Sequence, residues 1–305
     1  MRWMTKALAV IGALLMALAL AACGLHLANS GTSPVPDRPP GAWRVATHNV
    51  HYILLRRPEG SWSVADWERR RPALDAAFKA IEADIFAFQE MESFAGGDDA
   101  SVNLALDYLL ERNPDYAAAA VGDWRRFPST QPILYRKGRL RLVDQGWFFF
   151  SETPDVIYSR TFDGSYPAFA SWAAFVPEEG GPEVHVLNVH LDYSSRTNRA
   201  RSVALVRERV AGLLEAGRTV ILLGDLNERA GSDVHRSLEQ AGLRFAPVEG
   251  ATYHFNRGIN LFGAIDHVAT TADVELVGEP VVLRQRFGGA WPSDHYPVVA
   301  DVRLP

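Results

Sequence analysis

The stretch TVILLGDLNER, residues 219–229, joins a strongly apolar segment to a polar one. Val220–Leu223 is a continuous apolar run followed by Gly224, which predicts a buried strand that ends at a turn. Asp225 and Asn227 come next, two residues apart, and in an extended chain they point to the same side. Polar groups beside a core are costly unless they are paired or used. The stretch therefore predicts either a capped turn or part of a functional site.

The same arrangement occurs at five other predicted strand ends. The segments are THNV (47–50), FQE (88–90), NVHLD (188–192), AIDHV (264–268) and SDHYPV (293–298). Each places acidic, amide or imidazole groups where an apolar strand begins or ends. Six such segments predict that the polar groups meet at one edge of a sheet sandwich and form a single site.

The side chains in these segments indicate metal-assisted chemistry. Four of them carry hard oxygen ligands of the kind that Mg²⁺ or Mn²⁺ prefers. These are Asn49, Glu90, Asp225 and Asp294. His190 and His295 are suited to act as acids, bases or phosphate donors near neutral pH. The sequence has no Gly-x-Ser-x-Gly elbow, and its only cysteine is Cys23. These features predict attack by a water that a metal ion and a carboxylate activate.

In this order, the six segments resemble those of the endonuclease/exonuclease/phosphatase superfamily, over roughly residues 43–304. Its members include pancreatic-type deoxyribonucleases, apurinic endonucleases, inositol polyphosphate 5-phosphatases, neutral sphingomyelinases and deadenylases. GDLN (224–227) together with a terminal SDH is the specific part of the pattern. The resemblance implies an α/β fold, a four-layer α/β sandwich in which two mixed β-sheets pack face to face with helices on the outside.

The resemblance also implies a metal site. Glu90 would hold Mg²⁺ or Mn²⁺, helped by Asn49 and Asp294. The ion would bind a non-bridging phosphate oxygen and offset the charge that develops in the transition state.

The resemblance assigns the remaining residues to catalysis. Asp225 would orient or deprotonate the attacking water, and Asn227 would fix its carboxylate. His295, steered by Asp266, would be a base or a phosphate ligand, and His190 would donate to the phosphoryl oxygen. The sequence does not decide between Asp225 and His295 as the base. Four other histidines are expected to be structural or exposed, and His254 is left open. The four are His48, His51, His185 and His267.

The N-terminus predicts export. Residues 1–22 have a charged start and an apolar stretch, and LAAC ends at Cys23, which resembles a bacterial lipobox with a lipidated cysteine. An ordinary secretory signal or a single transmembrane anchor are the alternatives. Residues 23–41 are rich in Pro, Gly and Ser and predict a flexible tether, and residues 42–305 predict one catalytic domain. The expected location is the cell envelope, at the outer membrane or facing the periplasm.

The elements expected within that domain alternate between strands and helices. Strands are predicted at 43–50, 84–90, 169–176, 183–193, 219–223, 264–271 and 293–304, helices at 66–82, 102–111, 198–216 and 233–240, and a hairpin at 131–150.

Charge narrows the class of substrate. The 305-residue chain has a formal net charge of −5. Of its 31 basic residues Arg2 and Lys6 lie in the signal, so 29 basic and 36 acidic residues remain, a charge of −7. This balance argues against a broad basic surface that grips polyanions. The predicted function is a monomeric, membrane-tethered phosphodiesterase of the nuclease type. A phosphatase, a sphingomyelinase-like phospholipase acting on headgroups, and an inactive binding lipoprotein are the alternatives.

Overall fold

The computed structural model describes residues 2–31, 34–94, 102–164 and 166–305. The helices in these ranges are α1 (Arg2–Ala28), α2 (Val64–Ile81), α3 (Leu104–Arg112), α4 (Arg196–Glu215) and α5 (Asp233–Gln240). Serine or asparagine side chains cap the four domain helices α2 to α5, each accepting a backbone N–H of the first turn. This is the capping that the sequence provides for these helices.

The strands lie between the helices. They are β1 (Trp43–Asn49), β2 (Ile53–Leu54), β3 (Ile85–Gln89), β4 (Ser93–Phe94), β5 (Tyr116–Ala119), β6 (Ile133–Arg136), β7 (Leu140–Phe149), β8 (Phe169–Pro177), β9 (Val184–His190), β10 (Thr219–Asp225), β11 (Arg244–Phe245), β12 (Asp266–Thr270), β13 (Glu275–Val282) and β14 (Val298–Arg303). The first sheet has the order β13-β14-β1-β3-β6-β5 and the second the order β11-β12-β10-β9-β8-β7. Both are mixed, since β1 and β3 are parallel, as are β9 and β10, while the other pairs are antiparallel.

Three buried clusters separate four layers. In β10, Ile221 and Leu223 pack in the central cluster between the two sheets, with Val45 and Ile85 of the first sheet. Val220 and Leu222, the alternate residues of β10, face α4 and α5 in a second cluster. The third cluster lies between the first sheet and helices α2 and α3. A strand buried on both faces needs a continuous apolar sequence. The four-layer α/β sandwich predicted from the sequence is confirmed.

The prediction of a hairpin at residues 131–150 is wrong. A tight turn is present, because Arg139 N donates to Arg136 O at 3.0 Å. The strands on either side of it then separate into different sheets. β6 pairs with β3 and β5, whereas β7 pairs with β8. The turn residues fix the local reversal, but the partners available in each sheet decide the pairing.

The N-terminal helix α1 extends to Ala28, beyond residue 22, where the sequence pattern ends the apolar stretch. Residues Lys6–Ala28 form an apolar helical stretch of 23 residues, none of it buried in the protein, which is long enough to cross a membrane. Cys23 lies exposed within it. The segment predicted as a tether contacts the domain at several points, for example through Arg38 Nη1, which lies 2.9 Å from Asp84 Oδ1. Lipidation and the domain boundaries stay predictions.

Candidate active site

The ends of the central strands bring the six polar segments together. β1 ends at Asn49, which pairs in register with Gln89 of β3, so that Glu90 follows beside it. In the second sheet, Asp225 pairs with His190 on one side and with Asp266 on the other. Because the two sheets are packed face to face, both sets of side chains lie at the same edge of the sandwich.

Asp225 lies at the centre of this group and contacts residues of both sheets. Its Oδ2 accepts a hydrogen bond from Asn49 Nδ2 at 3.2 Å and lies 3.7 Å from His190 Nε2 and 3.8 Å from His295 Nε2. Burial and the negative charge of Asp266 raise the pKa of Asp225 to about 6, against the opposing effect of the two histidines. A carboxylate with such a pKa is suited to take up a proton near neutral pH.

The backbone around Asp225 is shaped for this position. A Cβ on Gly224 would lie 1.9 Å from the carbonyl oxygen of Val189, so only glycine permits β9 and β10 to approach here. Three residues in this region have a left-handed backbone conformation, His51 with φ 60°, Glu90 with φ 53° and Asn227 with φ 49°. Non-glycine residues rarely adopt this conformation, and such residues cluster at functional sites.

Asn227 acts on Asp225 through its main chain. Its backbone N–H donates to Asp225 Oδ1 at 2.9 Å, while its side-chain Nδ2 donates to the carbonyl of Leu191 at 2.9 Å. The first bond fixes the carboxylate, and the second ties the loop after β10 to the end of β9. The capped turn, one of the two sequence interpretations of this stretch, is therefore present, and the functional site stays a prediction.

His295 and Asp266 form a buried pair. His295 Nδ1 lies 2.9 Å from Asp266 Oδ2. Burial by itself lowers the pKa of His295, but the carboxylates of Asp266 and Asp225 outweigh it and raise the pKa to about 10. The imidazole is therefore a cation at neutral pH and has no free lone pair with which to take up a proton. The backbone carbonyl of His295 lies 3.1 Å from His48 Nε2, which gives His48 a structural role.

His190 is held by a residue that the sequence did not reveal. The hydroxyl of Tyr166 lies 3.2 Å from His190 Nε2, and the two rings are 5.6 Å apart. Burial lowers the pKa of His190, so its ring is neutral in the site. Burial and the charges of Glu90 and Asp225 raise the pKa of Tyr166 well above its ordinary value, which keeps its hydroxyl protonated. No motif in the sequence marks Tyr166.

Asn49 links Asp225 to Glu90, a second predicted metal ligand, which also lies 3.9 Å from His190 Nε2 through its Oε1. Asn49 Nδ2 donates to Glu90 Oε1 at 3.1 Å. Burial and the neighbouring charge of Asp294 raise the pKa of Glu90, so two carboxylates of like charge face each other here. A divalent cation relieves this repulsion, and carboxylate and amide oxygens are the donors that Mg²⁺ and Mn²⁺ take. The residues present therefore fit such an ion.

A second acidic group is geometrically able to hold an ion. Ligand atoms of Asp225, Asp266 and His295 lie within 4.8 Å of one another. However, a protonated imidazole does not ligate a metal, and the pKa of His295 is raised to about 10. This group could therefore hold an ion only after His295 has lost its proton.

His51, expected from the sequence to be structural or exposed, belongs to the site. It is buried, and its Nδ1 lies 3.2 Å from Asp294 Oδ1. Burial by itself raises the pKa of Asp294, but the hydrogen bond and charge of His51 lower it well below its ordinary value. His254, left open from the sequence, is fully buried and stacks on Tyr296 with ring centroids 4.0 Å apart. It belongs to the core beneath the site.

An open cleft with a volume of about 440 Å³ adjoins Asp294, one of the predicted metal ligands. His51 and Asp294 line it together with three aromatic residues, Trp62, Tyr253 and Phe255. The ring of Tyr253 lies 5.0 Å from that of His295, so one wall of the cleft lies beside His295. A cleft of this size and lining suits a compact substrate with a flat ring or an apolar face.

The sequence of this region matches a model of the endonuclease/exonuclease/phosphatase family over residues 46–295. The chain belongs to that family. Members of the endonuclease/exonuclease/phosphatase family are hydrolases that act on phosphoester bonds, and this chain is one of them. The family membership predicted from the six segments is thereby confirmed. A comparison with curated proteins finds no match.

Solved structures of other members of the endonuclease/exonuclease/phosphatase family share the fold. A mannosyl-6-phosphatase of Bacteroides thetaiotaomicron is 24% identical, with a TM-score of 0.70 over 85% of this chain and 99% of that one. A family protein of Bacteroides vulgatus is 23% identical, with a TM-score of 0.71 over 87% and 99%. The human Nocturnin catalytic domain is 16% identical, with a TM-score of 0.60 over 88% and 100%.

Proposed function

We propose that this protein is a divalent-metal-dependent phosphoester hydrolase of the cell envelope that attacks phosphorus with an activated water. The observation that carries the proposal is the position of Asp225, which contacts Asn49 of the first sheet and lies close to His190 and His295. Asp225 as a proton acceptor and His295 as a cation thus lie close to the oxygen ligand Asn49.

Glu90, Asn49 and Asp294 would hold the ion, Mg²⁺ or Mn²⁺. When bound, the ion supplies positive charge that polarises the phosphate and stabilises the transition state. His51 contacts Asp294, with His51 Nδ1 3.2 Å from Asp294 Oδ1. We infer that His51 positions this ligand, in the way that partners of a metal ligand fix its orientation.

Asp225 would be the general base. Its pKa of about 6 lets it accept the proton of the attacking water, while the cationic His295 would donate a hydrogen bond to a phosphate oxygen. His190, neutral and held by Tyr166, would donate a second hydrogen bond to the phosphoryl group. Asp266 and the main chain of Asn227 are positioning groups, which hold His295 and Asp225 in these orientations.

Two classes of substrate fit this chemistry. The nuclease-like phosphodiesterase remains one candidate. The cleft beside Asp294, with aromatic walls and a volume of about 440 Å³, favours the other, a small phosphomonoester or a lipid headgroup. The acidic net charge of −5 also disfavours a long polyanion. Similarity in fold to a mannosyl-6-phosphatase makes a sugar phosphate the first compound to test.

The location at the cell envelope rests on α1. Its apolar stretch, Lys6–Ala28, is not buried in the domain and is long and apolar enough to cross a membrane. Either a lipid on Cys23 or the helix itself would provide the anchor. Mass spectrometry of the N-terminus of the protein extracted from membranes distinguishes them, because lipidation at Cys23 removes residues 1–22.

An activity panel tests the proposed function. The purified chain in detergent is assayed on mannose 6-phosphate, plasmid DNA, RNA, sphingomyelin and bis-p-nitrophenyl phosphate, with Mg²⁺, Mn²⁺ or a chelator. We expect hydrolysis of at least one compound, and we expect the chelator to abolish it. Activity that persists at full rate in the chelator contradicts the metal assignment. An inert protein across the whole panel contradicts the proposed activity and favours a binding role.

A further inference from the structure

Three apolar side chains are exposed on the loop formed by residues 253–263. Phe255, Ile259 and Phe262 have 37%, 39% and 47% of their surface exposed. Phe255 and Phe262 lie side by side with ring centroids 5.9 Å apart. Scattered apolar residues are normal on a surface, but a group on one short loop marks a contact surface.

This loop forms part of the mouth of the active-site cleft. Phe255 and Ile259 line the cleft, as does Tyr253, whose ring lies 4.6 Å from that of Phe255. A continuous row of rings thus leads from His295 through Tyr253 and Phe255 to Phe262 at the surface. Whatever covers the loop therefore lies next to the entrance that substrate uses.

The same loop is bonded to the end of the N-terminal helix. The backbone N–H of Asn260 donates to His26 Nδ1 at 3.1 Å, and its side-chain Nδ2 donates to Ser30 Oγ at 2.9 Å. The backbone N–H of Ala251 donates to the carbonyl of Asn29 at 3.1 Å. These bonds join the loop, and Ala251 just before it, to residues 26–30, where the apolar stretch ends at Ala28.

Arg284 strengthens this connection. Its guanidinium donates to the carbonyl of Ala251 at 2.7 Å and also to the carbonyls of Glu249 and Gly31. One side chain therefore ties residues 249–251, just before the loop, to the segment that follows α1. The segment predicted to be a flexible tether holds the domain in a defined orientation at this point.

Charge on the loop suits a phospholipid surface. Arg257 is exposed between the apolar residues, and Arg229 lies beside Gly263 with its Cδ 3.7 Å from the position of a Cβ there. Apolar side chains that enter the interface, together with basic side chains that reach lipid phosphates, are typical of proteins bound to a bilayer surface.

We propose that the 253–263 loop rests on the bilayer that α1 or its lipid enters, and that it seats the mouth of the cleft on the membrane surface. The proposal rests on the envelope location given under the proposed function and extends it. The occupant is lipid because the exposed apolar residues adjoin the point where the chain leaves the membrane. The enzyme would therefore draw its substrate from molecules held at that surface, such as lipid headgroups or phosphoesters concentrated beside it.

Site-specific fluorescence in vesicles tests the contact. The full chain is reconstituted into vesicles of phosphatidylcholine and phosphatidylglycerol, with an environment-sensitive dye on the variant Phe262→Cys and nitroxide-bearing lipids as quencher. Val143→Cys is the matched control, since Val143 is apolar and 45% exposed but lies on β7, at the opposite edge of the second sheet. The parent chain, treated in the same way, gives the contribution of Cys23.

We expect the nitroxide lipids to quench the dye at position 262 at least twofold more than the dye at position 143. Equal quenching at the two positions overturns the proposal. Ile259→Cys provides a second site on the loop, so that one variant that fails to fold does not decide the result. Quenching in vesicles without phosphatidylglycerol measures how much Arg257 and Arg229 contribute to the membrane contact. Because the readout needs no activity, failure of the hydrolase assignment and failure of the membrane contact are distinguishable.

Discussion

Asp225 owes its properties to neighbours that are distant in the sequence. Asn49 donates to its carboxylate, Asp266 raises its pKa, and the histidines beside it balance part of that effect. The neighbouring Asn227 adds a bond from its own main chain. The sequence predicted that these residues meet, from their positions at strand ends. It did not decide between Asp225 and His295 as the base, because their pKa values depend on burial and on charged residues distant in the sequence.

The first prediction concerns Asp225 itself. Asp225→Asn keeps the shape of the side chain and removes the proton acceptor, so we expect the rate constant kcat to fall at least ~10²-fold, the usual scale for one acid–base group. His295→Ala is expected to reduce kcat by a similar factor. Initial rates on the substrate found in the panel measure both effects. Glu279→Gln, an exposed acid on β13, is the control and should retain full activity. Variants of Asp225 and His295 as active as the parent would refute the roles.

The second prediction concerns Gly224. A methyl group at this position meets the Val189 carbonyl at 1.9 Å, so β9 and β10 have to move apart. We expect Gly224→Ala to lower the free energy of unfolding by about 3 kcal/mol, at the upper end of overpacking costs, and to reduce activity through displacement of Asp225. Urea unfolding measures the change. Gly212→Ala in α4 is the control, since a Cβ there meets nothing within 4 Å, and alanine is the better helix former.

At the scale of elements, the sequence predicted the strongly periodic ones. The four domain helices and the central strands lie within a few residues of the predicted positions. The strands that the sequence analysis did not identify include β5 and β13, which are the two edges of the first sheet. An edge strand has one paired side and a weaker apolar pattern, as β13 illustrates with only one buried residue among eight. The separation of β6 from β7 was missed because strand partners are set by the whole sheet.

Asp75 joins two outer helices, and this gives a third prediction. On α2, its carboxylate accepts from Lys79, from Arg112 and from Asn113, the last two at the end of α3. Burial by itself raises the pKa of Asp75, but these hydrogen bonds lower it below its ordinary value. A lowered pKa in the folded state stabilises the protein above the ordinary aspartate pKa of about 4, and this contribution is lost as the pH falls through the lowered value.

We therefore expect Asp75→Asn to reduce the free energy of unfolding by about 2 kcal/mol at pH 7, the scale of hydrogen bonds to charged groups. The difference from the parent should shrink as the pH falls below about 4, where the parent's carboxylate also becomes neutral. Urea denaturation at a series of pH values measures it. Glu68→Gln, in an exposed pair with Arg71 on the same helix, should change stability by less than about 0.5 kcal/mol. A difference that is constant with pH would contradict the assignment.

On the scale of the whole molecule, a buried polar contact joins the two sheets beneath the site. Gln89 Nε2 donates to Asn188 Oδ1 at 2.7 Å, and Asn188 Nδ2 donates to the carbonyl of Phe88 at 2.8 Å. Both side chains are fully buried. Gln89 precedes Glu90, so this contact fixes a metal ligand of one sheet relative to the other sheet. The sequence predicted that two sheets pack together but gave no sign of which polar residues align them.

The fourth prediction tests that alignment. Asn188→Leu removes one of the two acceptors of the buried Gln89 amide, which also donates to Thr47 Oγ1, and it removes the donor to the Phe88 carbonyl. We therefore expect a loss of about 2–3 kcal/mol in the free energy of unfolding and a lower kcat. The double variant Gln89→Leu/Asn188→Leu replaces both partners by apolar groups and should recover part of the stability. It should not recover kcat if the contact aligns Glu90 with Asp225. Recovery of both quantities would contradict a role in alignment.

The order of the site residues along the chain also bears on when the enzyme becomes active. Asn49 is contributed by the first strand of the domain, whereas Asp294 and His295 immediately precede the last one. A chain that ends at β12 lacks Asp294 and His295, two of the proposed site residues. We therefore expect such a truncated chain to hydrolyse phosphoesters far more slowly than the full chain.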